Sequence, residues 1–148
     1  MTMQTVRDAL QMIAAKARLP SLELDSAGVV ELRVEDTLSL YITRISDWEM
    51  ELGVALRDGG SALSDDELSA MLALVPSLLP SRLALDADGR PLLCRRIDVR
   101  LVDDALLEAH VLAVLRQAVA LSEPDAFHAT AASPSAPAAR LDKLTFRP

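Results

Sequence analysis

The chain is poor in reactive and ring-bearing side chains. It has one Cys, two His, one Trp, one Tyr and two Phe in 148 residues. A lone cysteine excludes a disulfide framework and a multi-thiolate metal site, and it fits a reducing compartment. Basic residues are also scarce: 15 Lys and Arg stand against 22 Asp and Glu, a net charge of −7. Binding nucleic acid requires Lys and Arg against phosphates, so no nucleic-acid partner is expected. No run of about 18 apolar residues occurs, so no membrane-spanning segment is expected either. Arg7, Asp8 and Lys16 interrupt the apolar residues near the start, which argues against a signal peptide. What the chain does have is aliphatic bulk, with 51% hydrophobic residues. A chain of about 150 residues buries roughly 70% of its unfolded surface, enough for one domain with a real core.

Composition divides the chain near Leu121. From Ser122 onward the sequence holds seven Ala, four Pro and three Ser in 27 residues, with three acids balancing three bases. The body, 1–121, therefore carries the whole charge of −7. The segment 122–148 is expected to be mobile at least as far as Pro137. Its last part places Leu141, Leu144 and Phe146 in a short apolar stretch that could dock, although an unstructured end is the commoner outcome for a terminus.

Within the body, hydrophobic periodicity sets the elements. Val6, Leu10, Ile13 and Ala17 recur at helical spacing, with Thr2 or Thr5 as cap and Pro20 as stop. Three alternating runs follow: Val30, Leu32, Val34; then Leu38, Leu40, Ile42; then Trp48, Met50, Leu52, Val54. Period two with one polar face predicts an antiparallel sheet covered on one side, with hairpins at Glu35–Thr37 and Ser46–Asp47. Residues 57–63 read as a loop. Ser64 and Glu67 form a capping-box pattern, flanked by Leu63 and Leu68 as a hydrophobic staple. Leu68, Met71, Leu72 and Val75 form the stripe of this second helix, which Pro76 and Pro80 should end. Leu83 and Leu85 lead into Asp86-Ala87-Asp88-Gly89, a hairpin turn, and Leu93, Ile97 and Val99 share one face of the return strand. Arg95 has the same parity and so needs an edge or a partner. A last helix from about Asp103 to Leu121 carries the stripe Leu107, Val111, Val114, Ala118 and Leu121. The fold class is therefore α+β, an antiparallel sheet with three helices in the order α-β-β-β-α-β-β-α.

Catalytic constellations are lacking. His110 reads as a partly buried helical histidine, with no second histidine at zinc-pair spacing, and His128 lies in the terminal segment. Cys94 sits in a strand and reads as a buried structural thiol. The Asp86–Gly89 segment fails as a calcium loop, because its Gly is fourth and the twelfth position is Ile97 rather than Glu. Gly59-Gly60 lacks the Lys-Ser/Thr of a phosphate loop. Glu49 and Glu51 share an outward strand face, and Arg95 and Arg96 point to opposite faces. No catalytic residue, cofactor or metal is expected. The surplus is instead apolar: Leu106, Leu112, Leu115 and Val119 beside the last helix's stripe, and Leu74, Leu78 and Leu79 beside that of the second. Helices apolar nearly all round are buried on more than one side, and a second copy of the chain is the simplest cover.

The opening helix, the run GVVELRVEDTLSLYI and the stretch RLALDADGRPLLCRRIDVR resemble the class I type III secretion chaperones, the Tir-chaperone-like family of Gram-negative bacteria. The resemblance covers roughly residues 3–121. It implies a cytoplasmic bacterial homodimer that binds the N-terminal region of a secreted effector. It implies that the effector is kept secretion-competent and delivered to the secretion apparatus, whose ATPase is a further partner. By position it places the dimer contact at Leu68, Met71, Leu72, Val75, Leu83 and Leu85. It places effector contacts at Met12, Leu19, Tyr41, Ile45 and Trp48. The segment after Leu121 is longer and richer in Pro and Ala than the family pattern. Two other readings compete: a non-catalytic adaptor subunit scaffolding a stable complex, and a small hydrolase or ligand-binding domain, which would need a pocket with convergent polar groups.

Overall fold

A computed structural model describes residues 4–35, 37–56, 63–122 and 146–147. The expected mobility of 122–148 thus falls almost wholly outside the described residues. So do most of the 57–63 loop, Thr2, His128, Leu141 and Leu144.

The first helix, α1, spans Val6–Lys16 and is capped by Thr5, with Asp8 completing a capping box. The hydroxyl of Thr5 accepts from the Asp8 amide at 3.3 Å, and the Asp8 carboxylate accepts from the Thr5 amide at 3.1 Å. Those amide donors, led by that of Gln4, hold the Asp8 carboxyl below its ordinary range. The helix closes in a double bond: the Arg18 amide donates to Ala15 and the Leu19 amide to Ala14. This is a Schellman reversal, and its left-handed position is filled by Arg18 at φ 58° instead of glycine. The chain turns back before Pro20 is reached.

The strands are β1 (Val29–Val34), β2 (Leu38–Arg44), β3 (Glu49–Ala55), β4 (Arg82–Leu85), β5 (Pro91–Asp98) and a two-residue β6 (Phe146–Arg147). They form one antiparallel sheet in the order β4-β5-β3-β2-β1-β6. The alternation read from the sequence fixes which face is covered. Leu32, Val34, Leu40, Ile42, Met50, Leu52, Val54, Leu93 and Ile97 are all buried. Gly89, at φ 77°, completes the β4–β5 turn, where the Asp86 carboxylate accepts from the amides of Asp88 and Arg90. The segment therefore works as a turn. Trp48 lies just before β3 rather than inside it.

The second helix, α2 (Asp65–Leu78), begins with the expected capping box between Ser64 and Glu67. Its far end corrects the sequence reading, because Pro76 lies within the helix and the last turn runs on to Leu78. The stripe is corrected as well. Met71 and Leu78 are buried and Leu74 packs against the core, while Leu72 points outward at 61% exposure. Pro76 removes one amide bond and crowds the Leu72 carbonyl, yet the helix runs two residues further and buries Leu78 in the core.

A short 3-10 turn, Val99–Leu101, leads to α3 (Asp104–Ser122). The Asp103 carboxylate caps it by accepting from the Leu106 amide at 2.8 Å. All five expected stripe residues are buried, and Leu115 joins them. This helix is long and apolar enough, by length and mean hydropathy, to cross a membrane. The expectation that no such segment exists is corrected to that extent. Here the apolar stripe is packed into the core against β3 and β5. Lys16 on α1 pairs with Glu108 on α3 at 3.0 Å, tying the two helices at the surface.

Candidate functional site

Among the described residues, the exposed large apolar side chains other than Leu106 of α3 fall in two groups, one beside the edge strand β4 and one around the β2–β3 turn. At the β4 end, α2 turns Leu72 and Val75 away from the core, and Leu79 follows at the helix end with 69% exposure. Positions i, i+3 and i+7 lie along one helical face, so these three form a single stripe. Beside it runs the edge strand β4, with Leu83 half-buried and Leu85 exposed. Of the six residues expected at a dimer contact, Leu72 and Leu85 are exposed, and Leu68, Val75 and Leu83 are half-buried. Met71 is spent on the chain's own core at 2% exposure.

Near the β2–β3 turn, the Schellman reversal throws residues 19–24 back alongside α1 as an extended segment. Between the two lies a cleft of about 970 Å³. Leu10 and Ala14 of α1 line one wall, and Leu19, Leu22 and Leu24 line the other. Two small residues, Ala14 and Ala15, leave the groove open on the helix side. Arg44 and Asp47, an ion pair in the β2–β3 turn, close one end. The Val6 amide donates to the Asp47 carbonyl at 2.7 Å, so this turn is clamped to the start of α1.

Continuous with that turn is an exposed patch of Ile45, Trp48 and Leu101. Trp48 is held rather than loose. Its carbonyl accepts from the Val99 amide at 2.9 Å, and the Arg100 guanidinium stands 4.7 Å from the ring centroid. Asp98 in turn fixes Arg100 through two bonds, of 3.0 and 2.7 Å. The cation–π contact leaves one ring face for a partner. Among the five residues expected to receive an effector, Leu19 lines the cleft, Ile45 and Trp48 form the adjoining patch, and Met12 is half-buried against the core. Tyr41 is set apart on the sheet face away from the helices, opposite Gly53.

That outer sheet face is polar. Glu51 accepts from Arg82 at 2.6 Å and lies 3.8 Å from Arg96. The hydrogen bond to Glu51 raises the Arg82 pKa further. Ser39 accepts from Arg33 and donates to Glu31. Cys94 is buried beside Gly53, and desolvation pushes its thiol up, the opposite of what a nucleophile needs.

Beneath α3 lies a polar cluster. Arg95 is 5% exposed and donates to Ser81 Oγ at 2.9 Å, to Gln117 Oε1 at 3.3 Å and toward His110 Nδ1 at 3.2 Å. Gln117 also accepts from Ser81 at 2.7 Å and donates to the Leu78 carbonyl at 3.2 Å. A guanidinium can only donate, so His110 is the neutral tautomer with its proton on Nε2. Burial and the neighbouring Arg95 keep the His110 pKa below its ordinary value. The parity of Arg95 flagged the need for a partner, but all three partners are neutral and two lie on other elements. No group of three or more His, Cys, Asp or Glu among the described residues could hold a metal.

The sequence and fold now assign the class. Residues 8–122 match the Tir chaperone protein (CesT) family, and the chain belongs to it. Its fold is similar to that of the Yersinia pestis type III secretion chaperone SycH in complex with a stable fragment of YscM2. There the TM-score is 0.61 at 18% identity, covering 79% of this chain and 99% of that one. The HopA1-SchA chaperone-effector complex gives 0.63 at 16%, covering 80% and 93%. The ExoT-SpcS complex from Pseudomonas aeruginosa gives 0.55 at 19%, covering 77% and 94%. No curated protein matches the chain in sequence. Leu22 and Leu24 of the wall at 19–24 escaped the sequence reading, whereas Leu19 did not; their signal was the short alternation Ser21-Leu22-Glu23-Leu24-Asp25 directly after Pro20.

Proposed function

We propose that the chain is a type III secretion chaperone of the bacterial cytoplasm, acting as a homodimer on the N-terminal region of a secreted effector. The carrying observation is that, among the described residues, most exposed large apolar side chains gather in two separate groups, one beside the edge strand β4 and one at the β2–β3 turn, with Leu106 on α3 apart from both. Scattered apolar residues need no explanation, but grouped ones mark interaction surfaces. In this reading the α2–β4 end joins two copies through Leu72, Val75, Leu83 and Leu85, with Leu68 at the margin and Met71 supporting the helix from beneath. Symmetric pairing of one patch with itself is the commonest way to cover such a face.

The α1 end then holds the effector. Its cleft and the Ile45–Trp48 patch accept spaced apolar side chains of an extended segment, with Met12 and Leu19 at the groove and Tyr41 reached by a client that wraps onto the outer face. Ordering a disordered client costs free energy, which lowers affinity per unit area and permits release. The acidic body favours clients with basic segments. The chain works by binding, without turnover, and hands its client to the secretion apparatus and its ATPase.

Affinity capture of the tagged chain from its native cytoplasm tests this. A secreted protein should be recovered, and deleting that protein's N-terminal segment should abolish recovery. Capture that survives this deletion would contradict the reading.

A further inference from the structure

The second wall of the cleft has the side-chain pattern of a strand and no strand beside it. From Ser21 to Asp25 exposure alternates residue by residue. Ser21, Glu23 and Asp25 are exposed, while Leu22 and Leu24 are half-buried and pack against the core. That period of two marks an extended chain lying on an apolar surface. Its ends are fixed: the Leu19 amide donates to the Ala14 carbonyl at 2.9 Å, and the Asp25 amide to the Val29 carbonyl at 2.8 Å. Between these bonds, the amides and carbonyls of Ser21, Leu22, Glu23 and Leu24 have no hydrogen-bond partner among the described residues. All four residues line the cleft. Such a backbone is an open edge, and successive amides along it point to alternate sides.

We propose that residues 21–24 act as a receptor strand, with which an extended segment of the client pairs through its backbone inside the cleft. This mode of binding rests on the reading of the cleft as the client site; the unpaired backbone does not. A row of free amides and carbonyls is matched by another extended chain, whereas a helix has its own backbone groups spent internally. Directly opposed residues share a face. Client residues opposite Leu22 and Leu24 therefore point inward, toward Leu10 and Ala14, and are apolar. Charge narrows the occupant further. Arg7 on the helix wall and Glu23 on the other wall both line the cleft, and neither is in an ion pair among the described residues. Arg44 and Asp47 at the cleft's end neutralise each other. The cleft is thus balanced in a chain of net charge −7. Its client strand carries a base opposite Glu23, and an acid further along the same outward face answers Arg7.

The test takes the full chain and, as probe, a fluorescein-labelled peptide of the N-terminal segment of the secreted protein recovered by affinity capture. In the free chain, amide exchange followed by NMR should be fast at Ser21–Leu24 and slow at the bonded Leu19 and Asp25 amides. Saturating peptide should slow alternate amides of 21–24 at least about tenfold. N-methylation at successive peptide positions should weaken binding about fivefold at every second position of the paired stretch, and by less than about twofold between them. Glu23→Arg should weaken the peptide about threefold, and Glu23→Gln less. Slow exchange at 21–24 in the free chain, fast exchange persisting there in a complex that forms, or an N-methyl profile without a two-residue period would overturn the proposal. So would protection of 21–24 that rises with chain concentration alone, since the occupant would then be a second copy. A complex whose 21–24 amides stay fast contradicts this proposal and leaves the chaperone reading standing, whereas capture that yields no secreted protein contradicts both.

Discussion

Arg95 and His110 meet beneath α3 at 3.2 Å, a buried guanidinium facing a neutral imidazole with no carboxylate at hand. This relationship ties β5 to α3 in the middle of the domain, and it makes stability depend on pH. The folded-state pKa of His110 lies below its ordinary 6.5, so the unfolded chain binds the extra proton first. The contribution is full above pH 6.5. It declines as pH falls below that value and levels off once the folded imidazole also charges. Melting temperatures taken between about pH 7.5 and 5 should fall along this window. His110→Gln keeps an acceptor for Arg95 and should remove this part of the slope.

The same cluster separates two kinds of substitution. Gln117→Ala strands an Arg95 donor and the Leu78 carbonyl in the interior, and should cost about 1–3 kcal/mol. Arg95→Met removes the charge but keeps the volume, and Ser81 and Gln117 still bond to each other. It should change stability by less than about 1 kcal/mol, because a well-packed apolar replacement often equals a buried charge. Urea unfolding of both variants distinguishes the two cases.

Arg18 occupies a backbone conformation that suits glycine. Arg18→Gly should stabilise the domain by about 0.5–1 kcal/mol, since relief of the left-handed penalty exceeds the added flexibility of the unfolded chain. The cleft between α1 and residues 19–24 should keep its shape, and client affinity should stay within about twofold. A loss of stability in chemical unfolding would show that the Arg18 side chain itself contributes.

The two surfaces should separate genetically. Leu72→Asp with Leu85→Asp should turn a dimer into monomers in sedimentation velocity, with a loss of about 2 kcal/mol or more from the association. Leu19→Asp or Trp48→Ala should leave the dimer intact and weaken client binding. Loss of dimer from the second pair, or loss of client alone from the first, would reverse the assignment of surfaces.

Most of the fold was legible because its signals are local. Thr5 with Asp8 and Ser64 with Glu67 sit at the fixed spacing of a capping box, and strand alternation named nearly every inward residue. The misread elements depend on context. Pro76 looks like a stop, yet the helix continues to Leu78, whose burial in the core is a tertiary gain the local sequence does not show. Leu72 and Leu74 cannot be ranked as outward and inward until α2 is seated on the sheet. The cleft was hidden because it arises from a reversal built on arginine, where sequence habit expects glycine. The β6 pairing was beyond reach, because two residues carry no periodicity. The family resemblance, drawn from the hairpin Arg82–Arg100 and the double strand before it, agreed with the match over residues 8–122.

The most direct measurement of the central claim is hydrogen exchange on the purified complex of this chain with the secreted protein it retains. The account predicts two copies of the chain on one client, protection of the α1 cleft and of the α2–β4 surface, and a client N-terminal segment whose amides exchange as extended chain outside its contact points. A single copy bound to a fully folded client domain, with the cleft as exposed as in the free chain, would contradict it.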